Sequence, residues 1–83
     1  MFINKTKDGR NNRCGRNIAR LRLAQGISQR ALADQMQLLG LDIDKNAVQR
    51  IESGQRFVTD IELAAFAGYF GITLDALVLE ESP

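Results

Sequence analysis

The stretch IDKNAVQRIESG, residues 43–54, predicts one short helix with two contrasting sides. At about 100° per residue, Ala47, Val48 and Ile51 fall together on an inward side. The opposite side carries polar and cationic residues, namely Asn46, Gln49, Arg50 and Ser53, with Lys45 at the flank. Surface helices more often carry Glu and Lys pairs that support each other, so an outer side of Asn, Gln and Arg needs an explanation.

Asn, Gln and Arg side chains can present two hydrogen bonds in one plane, which is how proteins contact the edges of base pairs. The competing interpretation is a solvated face of ordinary polar residues, because short motifs also match by chance. The helix alone does not separate these interpretations, so the neighbouring segments have to decide between them.

Capping residues and glycines predict four more helices around this one. The predicted caps are Ser28, Asp44, Thr59 and Thr73, and the predicted ends are Gly26, Gly40, Gly54 and Gly71. The first helix is expected near residues 16–25, and Thr59 with Glu62 forms a capping box for the fourth. Apolar residues at helical spacing predict the core, namely Ile18, Leu21, Leu23, Ala31, Leu32, Met36, Leu39, Leu63, Ala64, Ala67 and Phe70.

Length and composition limit the class of protein. Eighty-three residues suit one small domain, and 45% hydrophobic residues with one proline suit a compact helical fold. No apolar run reaches the roughly 18 residues of a membrane span, and the first residues lack the apolar region of a secretory signal. We therefore expect a cytoplasmic protein without a membrane partner.

The residues needed for metal or catalytic chemistry are scarce. The sequence has one cysteine, Cys14, and no histidine, which argues against a zinc-type cluster and a Cys/His dyad. Ser28 and Ser53 have no imidazole to activate them. We predict no catalytic residues, no metal and no cofactor, and see no sign of a small-molecule ligand.

Charge is distributed unevenly along the chain although the net charge is only +1. Residues 1–30 hold eight Lys or Arg and one Asp, whereas residues 57–83 hold five Asp or Glu and no Lys or Arg. One cationic pole suits contact with a polyanion such as nucleic acid, while the other pole serves different contacts. A dipolar surface without a function is the alternative.

The order NIARLRLAQGISQRALADQM, NAVQRIESGQR and LAAFAGYFGITLDALV resembles the Cro and phage-repressor type of helix-turn-helix protein, the xenobiotic-response-element family, across roughly residues 15–79. The most specific pieces are Leu21-Arg22, Gly26-Ile27-Ser28-Gln29, Ala33, Arg50-Ile51-Glu52 with Gly54, and Leu74-Asp75-x-Leu77. The resemblance implies an all-α, five-helix, lambda-repressor-like DNA-binding domain that places its third helix in the major groove. We divide the chain into a flexible basic arm (1–14), this domain (15–79) and an acidic tail (80–83).

The resemblance also implies roles for individual residues. The expected base contacts come from Lys45, Asn46, Gln49 and Arg50, where Gln49 could instead contact a phosphate. The expected phosphate contacts come from Gln29, Arg30, Ser53 and Arg56, with a solvated surface position as the alternative for the two arginines. Arg22 and Glu52 occupy positions that form an ion pair between the first and third helices.

The sequence departs from this pattern between its second and third helices. The usual turn has about 3 to 4 residues, but QLLGL, residues 37–41, adds roughly one helical turn. We predict a lengthened second helix in which residues 37–39 continue it and Leu38, Leu39 and Leu41 cover extra core. A long loop that tilts the third helix is the alternative.

The resulting hypothesis is a sequence-specific, double-stranded DNA-binding protein that acts as a transcriptional repressor or regulator, with the basic arm either unbound or in the minor groove. Excess apolar surface predicts a homodimer through Leu74, Leu77, Val78 and Leu79. Two alternatives remain. One is an antitoxin-like regulator with a partner protein, and the other is a protein-interaction module on the same scaffold without DNA binding.

Overall fold

A computed structural model describes residues 4–79. Within that range the chain forms five α-helices and no strand, so the all-α prediction is confirmed. The helices are α1 Gly15–Ala24, α2 Gln29–Leu38, α3 Lys45–Glu52, α4 Asp60–Phe70 and α5 Leu74–Val78. Residues 1–3 of the predicted arm and the predicted acidic tail, 80–83, lie outside the described residues.

The predicted capping residues begin four of the helices. Ser28 accepts from the Ala31 amide at 3.0 Å, and Asp44 accepts from the Ala47 amide at 2.7 Å. Thr59 and Glu62 form the predicted capping box, and Thr73 caps α5. Such side-chain acceptors satisfy first-turn amides that have no partner inside the helix, which is why these starts could be predicted from the sequence.

The core lies where all five helices meet. Its largest fully buried side chains are Phe66, Ile18, Leu32, Met36, Ile43, Ile51, Leu77 and Val48. Three of the core predictions are wrong, because Leu23 and Leu39 are 66% and 56% exposed and Ala64 is also exposed. The sequence of α4 is apolar on nearly every side, so helical spacing alone does not identify Phe66 as its most buried residue.

The connection from α2 to α3 combines the two alternatives considered for residues 37–41, a longer second helix and a loop. The helix includes Gln37 and Leu38, Leu39 is its C-terminal cap, and a loop then runs to Asp44. The prediction that Leu38 and Leu39 cover core is wrong, since they are 78% and 56% exposed. Met36 and Ile43, both fully buried, take those core positions instead, and Leu41 packs against them only in part.

Much of the predicted N-terminal arm is folded onto the domain. Asn11 and Asn12 donate hydrogen bonds to the backbone just after α3, and Cys14 is buried with 1% of its surface exposed. Asp8 forms an ion pair with Arg16 at the start of α1. The prediction of a flexible arm over residues 1–14 is therefore wrong for residues 10–14, which pack against the domain.

Within residues 4–79, no helix has the length and apolar character needed to cross a lipid bilayer.

Candidate nucleic-acid interface

The outer face of α3 consists of four exposed side chains, Lys45, Asn46, Gln49 and Arg50. On the other side of the same helix, Val48 and Ile51 have no exposed surface. None of the four outer side chains makes a hydrogen bond or ion pair with another residue in the described range. Their hydrogen-bonding groups are therefore available to a ligand while the core fixes the orientation of the helix.

The two predicted partners Arg22 and Glu52 form a bidentate ion pair between α1 and α3. Arg22 Nε lies 2.7 Å from Glu52 Oε2, and Nη2 lies 3.1 Å from Oε1. Only 12% and 9% of the two side chains are exposed. Hydrogen bonds to Glu52 raise the pKa of the Arg22 guanidinium, and its Nη1 also donates to the Ile27 carbonyl oxygen at 2.9 Å. All three nitrogens of this guanidinium are therefore used inside the protein.

Gln29 belongs to the same network. Its Nε2 donates to Glu52 Oε1 at 3.0 Å, so this side chain faces the ion pair. An amide NH2 group carries two N–H donors, and this hydrogen bond uses one of them. The contact between Gln29 and a phosphate stays a prediction.

Arg56 is also held by a carboxylate. Its Nη1 and Nη2 donate to the two carboxylate oxygens of Glu62 at 3.0 and 2.9 Å. This contact lowers the pKa of Glu62, and the Thr59 amide contributes to the same effect. This ion pair competes with the predicted phosphate contact of Arg56, of whose side chain 29% is exposed. Arg30 and Ser53 are exposed.

The apolar residues of α5 divide into two groups. Leu77 is fully buried, so its prediction as a dimer contact is wrong, and it packs in the core of its own chain. Leu74 and Leu79 are 49% and 53% exposed, and Val78 packs partly against the core. The buried Asn17 of α1 fixes this end of the chain by donating to the carbonyl oxygens of Leu77 and Leu79 at 2.8 and 3.2 Å.

Asn12 is a structural residue that the sequence analysis missed. Its Oδ1 accepts from the Gly15 amide at 2.8 Å and so caps α1 from outside the helix. Its Nδ2 donates to the carbonyl oxygens of Ile51 and Arg56. The N-cap position of α1 is Cys14, so Asn12 does not lie where a capping residue is expected, and its contacts to the end of α3 depend on tertiary structure.

Two adjacent helices, α2 and α3, with a recognition helix that is buried on one side and polar on the other, define a helix-turn-helix protein. A family model described as helix-turn-helix matches residues 18–77, which is more than half of the chain. The chain therefore belongs to the Cro/C1-type helix-turn-helix family, whose members are DNA-binding regulators. Comparisons with curated proteins and with solved structures give no match.

Proposed function

We propose that this protein is a sequence-specific regulator that places the outer face of α3 in the major groove of double-stranded DNA. One observation carries the proposal. The four side chains of this face are exposed and without partners in the described range, whereas the opposite side of the same short helix is fully buried. A rigid helix that presents uncommitted planar hydrogen-bonding groups matches the dimensions and the donor and acceptor pattern of the major groove.

The side chains suggest particular base contacts. Arg50 can donate two hydrogen bonds to O6 and N7 of a guanine, and Asn46 can pair with N6 and N7 of an adenine. Gln49 lies one helical turn from Lys45 and one turn before Ser53, so it contacts either a base or the adjoining backbone. Lys45, at the first position of α3, suits a base acceptor at the edge of the site.

Contacts to the DNA backbone would orient the recognition helix. We assign them to Arg30, to Ser53 and to the N-terminal turn of α2 that begins at Gln29, where free amides and the helix dipole attract a phosphate. Arg56 is not part of this set because Glu62 pairs with it. Asp42 and Asp44, both exposed near α3, repel phosphates and favour a modest affinity.

We further propose that the protein acts as a homodimeric repressor in the cytoplasm. A homodimer would place two copies of α3 about one helical turn of DNA apart, and the exposed leucines Leu74 and Leu79, with Val78 beside them, form the surface proposed for the contact. Sedimentation of the free protein and of its DNA complex tests this part. A monomer in both samples contradicts it.

Selection from a randomised DNA duplex library tests the proposed function. Wild type should enrich a site with two-fold symmetry. Arg50→Ala should lose the base preference at one position of each half-site, and its discrimination between bases at that position should fall by about 1 to 3 kcal/mol. Arg20→Ala, which removes the same charge from the exposed surface of α1, is the matched control and should keep the full preference. No enrichment by wild type at low salt would contradict DNA binding and favour a protein-interaction module.

A further inference from the structure

Residues 10–12, here called the N-terminal strap, cross the C-terminal end of α3. Arg10 Nη2 donates to the Glu52 carbonyl oxygen at 2.7 Å, and Asn12 Nδ2 donates to the Ile51 carbonyl oxygen at 3.0 Å. Asn11 reaches the residues that follow the helix, because its amide and Nδ2 donate to the carbonyl oxygens of residues 54 and 55 at 2.7 and 2.9 Å. Each of these acceptors is a backbone carbonyl at the end of α3 or just beyond it.

These bonds supplement the hydrogen bonding at the end of the helix, where the Glu52 carbonyl oxygen accepts from Arg10 and the Ile51 carbonyl oxygen accepts from Asn12 as well as from the Gly54 amide. The last carbonyls of any α-helix lack an intrahelical donor, and α3 has only eight residues. Helices shorter than about 12 residues are marginal in water without tertiary contacts, so α3 depends on its buried side, Val48 and Ile51, and on the contacts at its ends. Arg10 adds a positive charge at the negative end of the helix dipole.

The fit between the strap and α3 leaves no space for larger groups. Gly54 follows α3 with φ +82°, and a Cβ on it would lie 2.8 Å from the Arg10 side chain. A Cβ on Gly15 would collide with the Ile51 carbonyl oxygen and come within 2.8 Å of Asn12 Oδ1. Asn12 itself is 9% exposed. The start of α1, the strap and the end of α3 therefore interlock, and a displaced strap would allow α3 to move.

We propose that the N-terminal strap is a positioning element for DNA recognition, which sets sequence specificity by fixing α3 without contacting a base. The strap lies before the matched helix-turn-helix region, residues 18–77. Its residues differ from the outer face of α3, because each of the three donates a side-chain hydrogen bond within the protein, although Asn11 Oδ1 is buried without a partner. This inference rests on the proposed function and adds residues 10–12 to the part of the chain that determines specificity.

The variant Asn12→Asp tests the strap with little change in size. Aspartate keeps the oxygen that accepts from the Gly15 amide but replaces the donor to Ile51 and Arg56 with a second acceptor. Asn4→Asp, at an exposed position that precedes the strap in the chain, is the control for added negative charge. Arg10→Met is a milder second variant that removes the donor to Glu52 and keeps the aliphatic contact over Gly54.

The measurement is the ratio of affinities for the selected duplex and for duplexes with single base-pair changes, taken below the melting temperature of each variant. We expect Asn12→Asp to reduce this ratio by about tenfold, comparable to one lost bidentate base contact, and Asn4→Asp to leave it unchanged. A folded Asn12→Asp variant with the wild-type ratio would overturn the proposal and leave the strap a purely structural element.

If Asn12→Asp does not fold, the ratio for Arg10→Met decides the question, with a reduction expected and the wild-type value contradicting the proposal. The proposed function fails in a different way, because wild type itself would then prefer no duplex. Specificity that is lost in Arg50→Ala and retained in both strap variants would preserve the proposed function and exclude the role of the strap.

Discussion

Two regions of the molecule use the same three types of side chain in opposite ways. Asn46, Gln49 and Arg50 lie on the outer face of α3, and Asn12, Gln29 and Arg22 surround its C-terminal end. The first three have no partner within the described residues, whereas the second three are bonded to Glu52 or to the carbonyl oxygen of Ile51. Residue type therefore does not separate a recognition residue from a structural one, but its partners do.

Glu52 explains most of this difference. It lies on the flank of α3 next to the buried side, where its carboxylate accepts from both Arg22 and Gln29 and leaves only 9% of its side chain exposed. The outer face of α3 contains no acidic residue. A single carboxylate thus connects three helices, and the outer-face side chains that it does not reach have no partner within the described residues.

The largest expected effect comes from breaking the Arg22–Glu52 pair. Arg22→Met leaves the Glu52 carboxylate buried with Gln29 as its remaining side-chain donor, and the free energy of unfolding should fall by about 3 kcal/mol. Thermal and denaturant unfolding of the variant measure this loss. Arg30→Met, at an exposed position of α2, should change stability by less than about 0.5 kcal/mol. Equal stability of the two variants would show that the pair contributes nothing.

A second prediction tests the close contact between α1 and α3. Gly15→Ala should destabilise the protein by about 2 to 3 kcal/mol, because the new methyl group meets the backbone oxygen of Ile51 and one helix has to move. Gly68→Ala is a matched control inside α4, where a Cβ meets nothing within 4 Å. That substitution should stabilise the helix by about 0.5 to 1 kcal/mol. Opposite signs of the two changes in unfolding free energy support the interlocked arrangement, and equal signs contradict it.

The smallest expected effect concerns Arg56, which pairs with Glu62 and so resembles Arg22 rather than Arg50. The pKa of Glu62 is lowered in the folded state, so its contribution to stability is present above its ordinary value of 4.5 and is lost as the pH falls through the folded value. Glu62→Gln keeps a side chain suitable for the capping box but cannot titrate.

Unfolding measured between neutral pH and acid should therefore show a weaker loss of stability in Glu62→Gln than in wild type. The difference should be about 1 kcal/mol or less, because 29% of the Arg56 side chain is exposed. Arg56→Met, which removes the partner, should reduce the acid dependence in a similar way. Identical acid profiles for all three proteins would mean that Arg56 is not held by Glu62.

Local signals in the sequence predicted the helices, their caps and the exposed side of α3, because these features depend on neighbouring residues. The apolar side of α3 also follows from spacing, and Val48 and Ile51 are fully buried as expected. The Arg22–Glu52 pair could be expected only through the family resemblance, since 30 residues separate the partners.

The features that sequence analysis missed depend on contacts between distant segments. Nothing local to Asn12 indicates that its amide reaches Ile51, 39 residues later. Leu38 and Leu39 resemble core residues by composition, but the loop that follows gives the core position to Ile43 instead. The hydrogen bond from Gln29 Nε2 to Glu52 Oε1 joins residues 23 positions apart, and no local pattern around Gln29 indicates it.

The central claim, that the outer-face side chains of α3 contact bases whereas Asn12 only holds the end of that helix, can be tested with side-chain amide signals in a nitrogen-proton NMR titration with the selected duplex. The account predicts that the signals of Asn46 and Gln49 shift strongly or broaden, while that of the buried Asn12 keeps its position. Unchanged signals from Asn46 and Gln49 in a saturated complex, with Asn12 shifted instead, would contradict it.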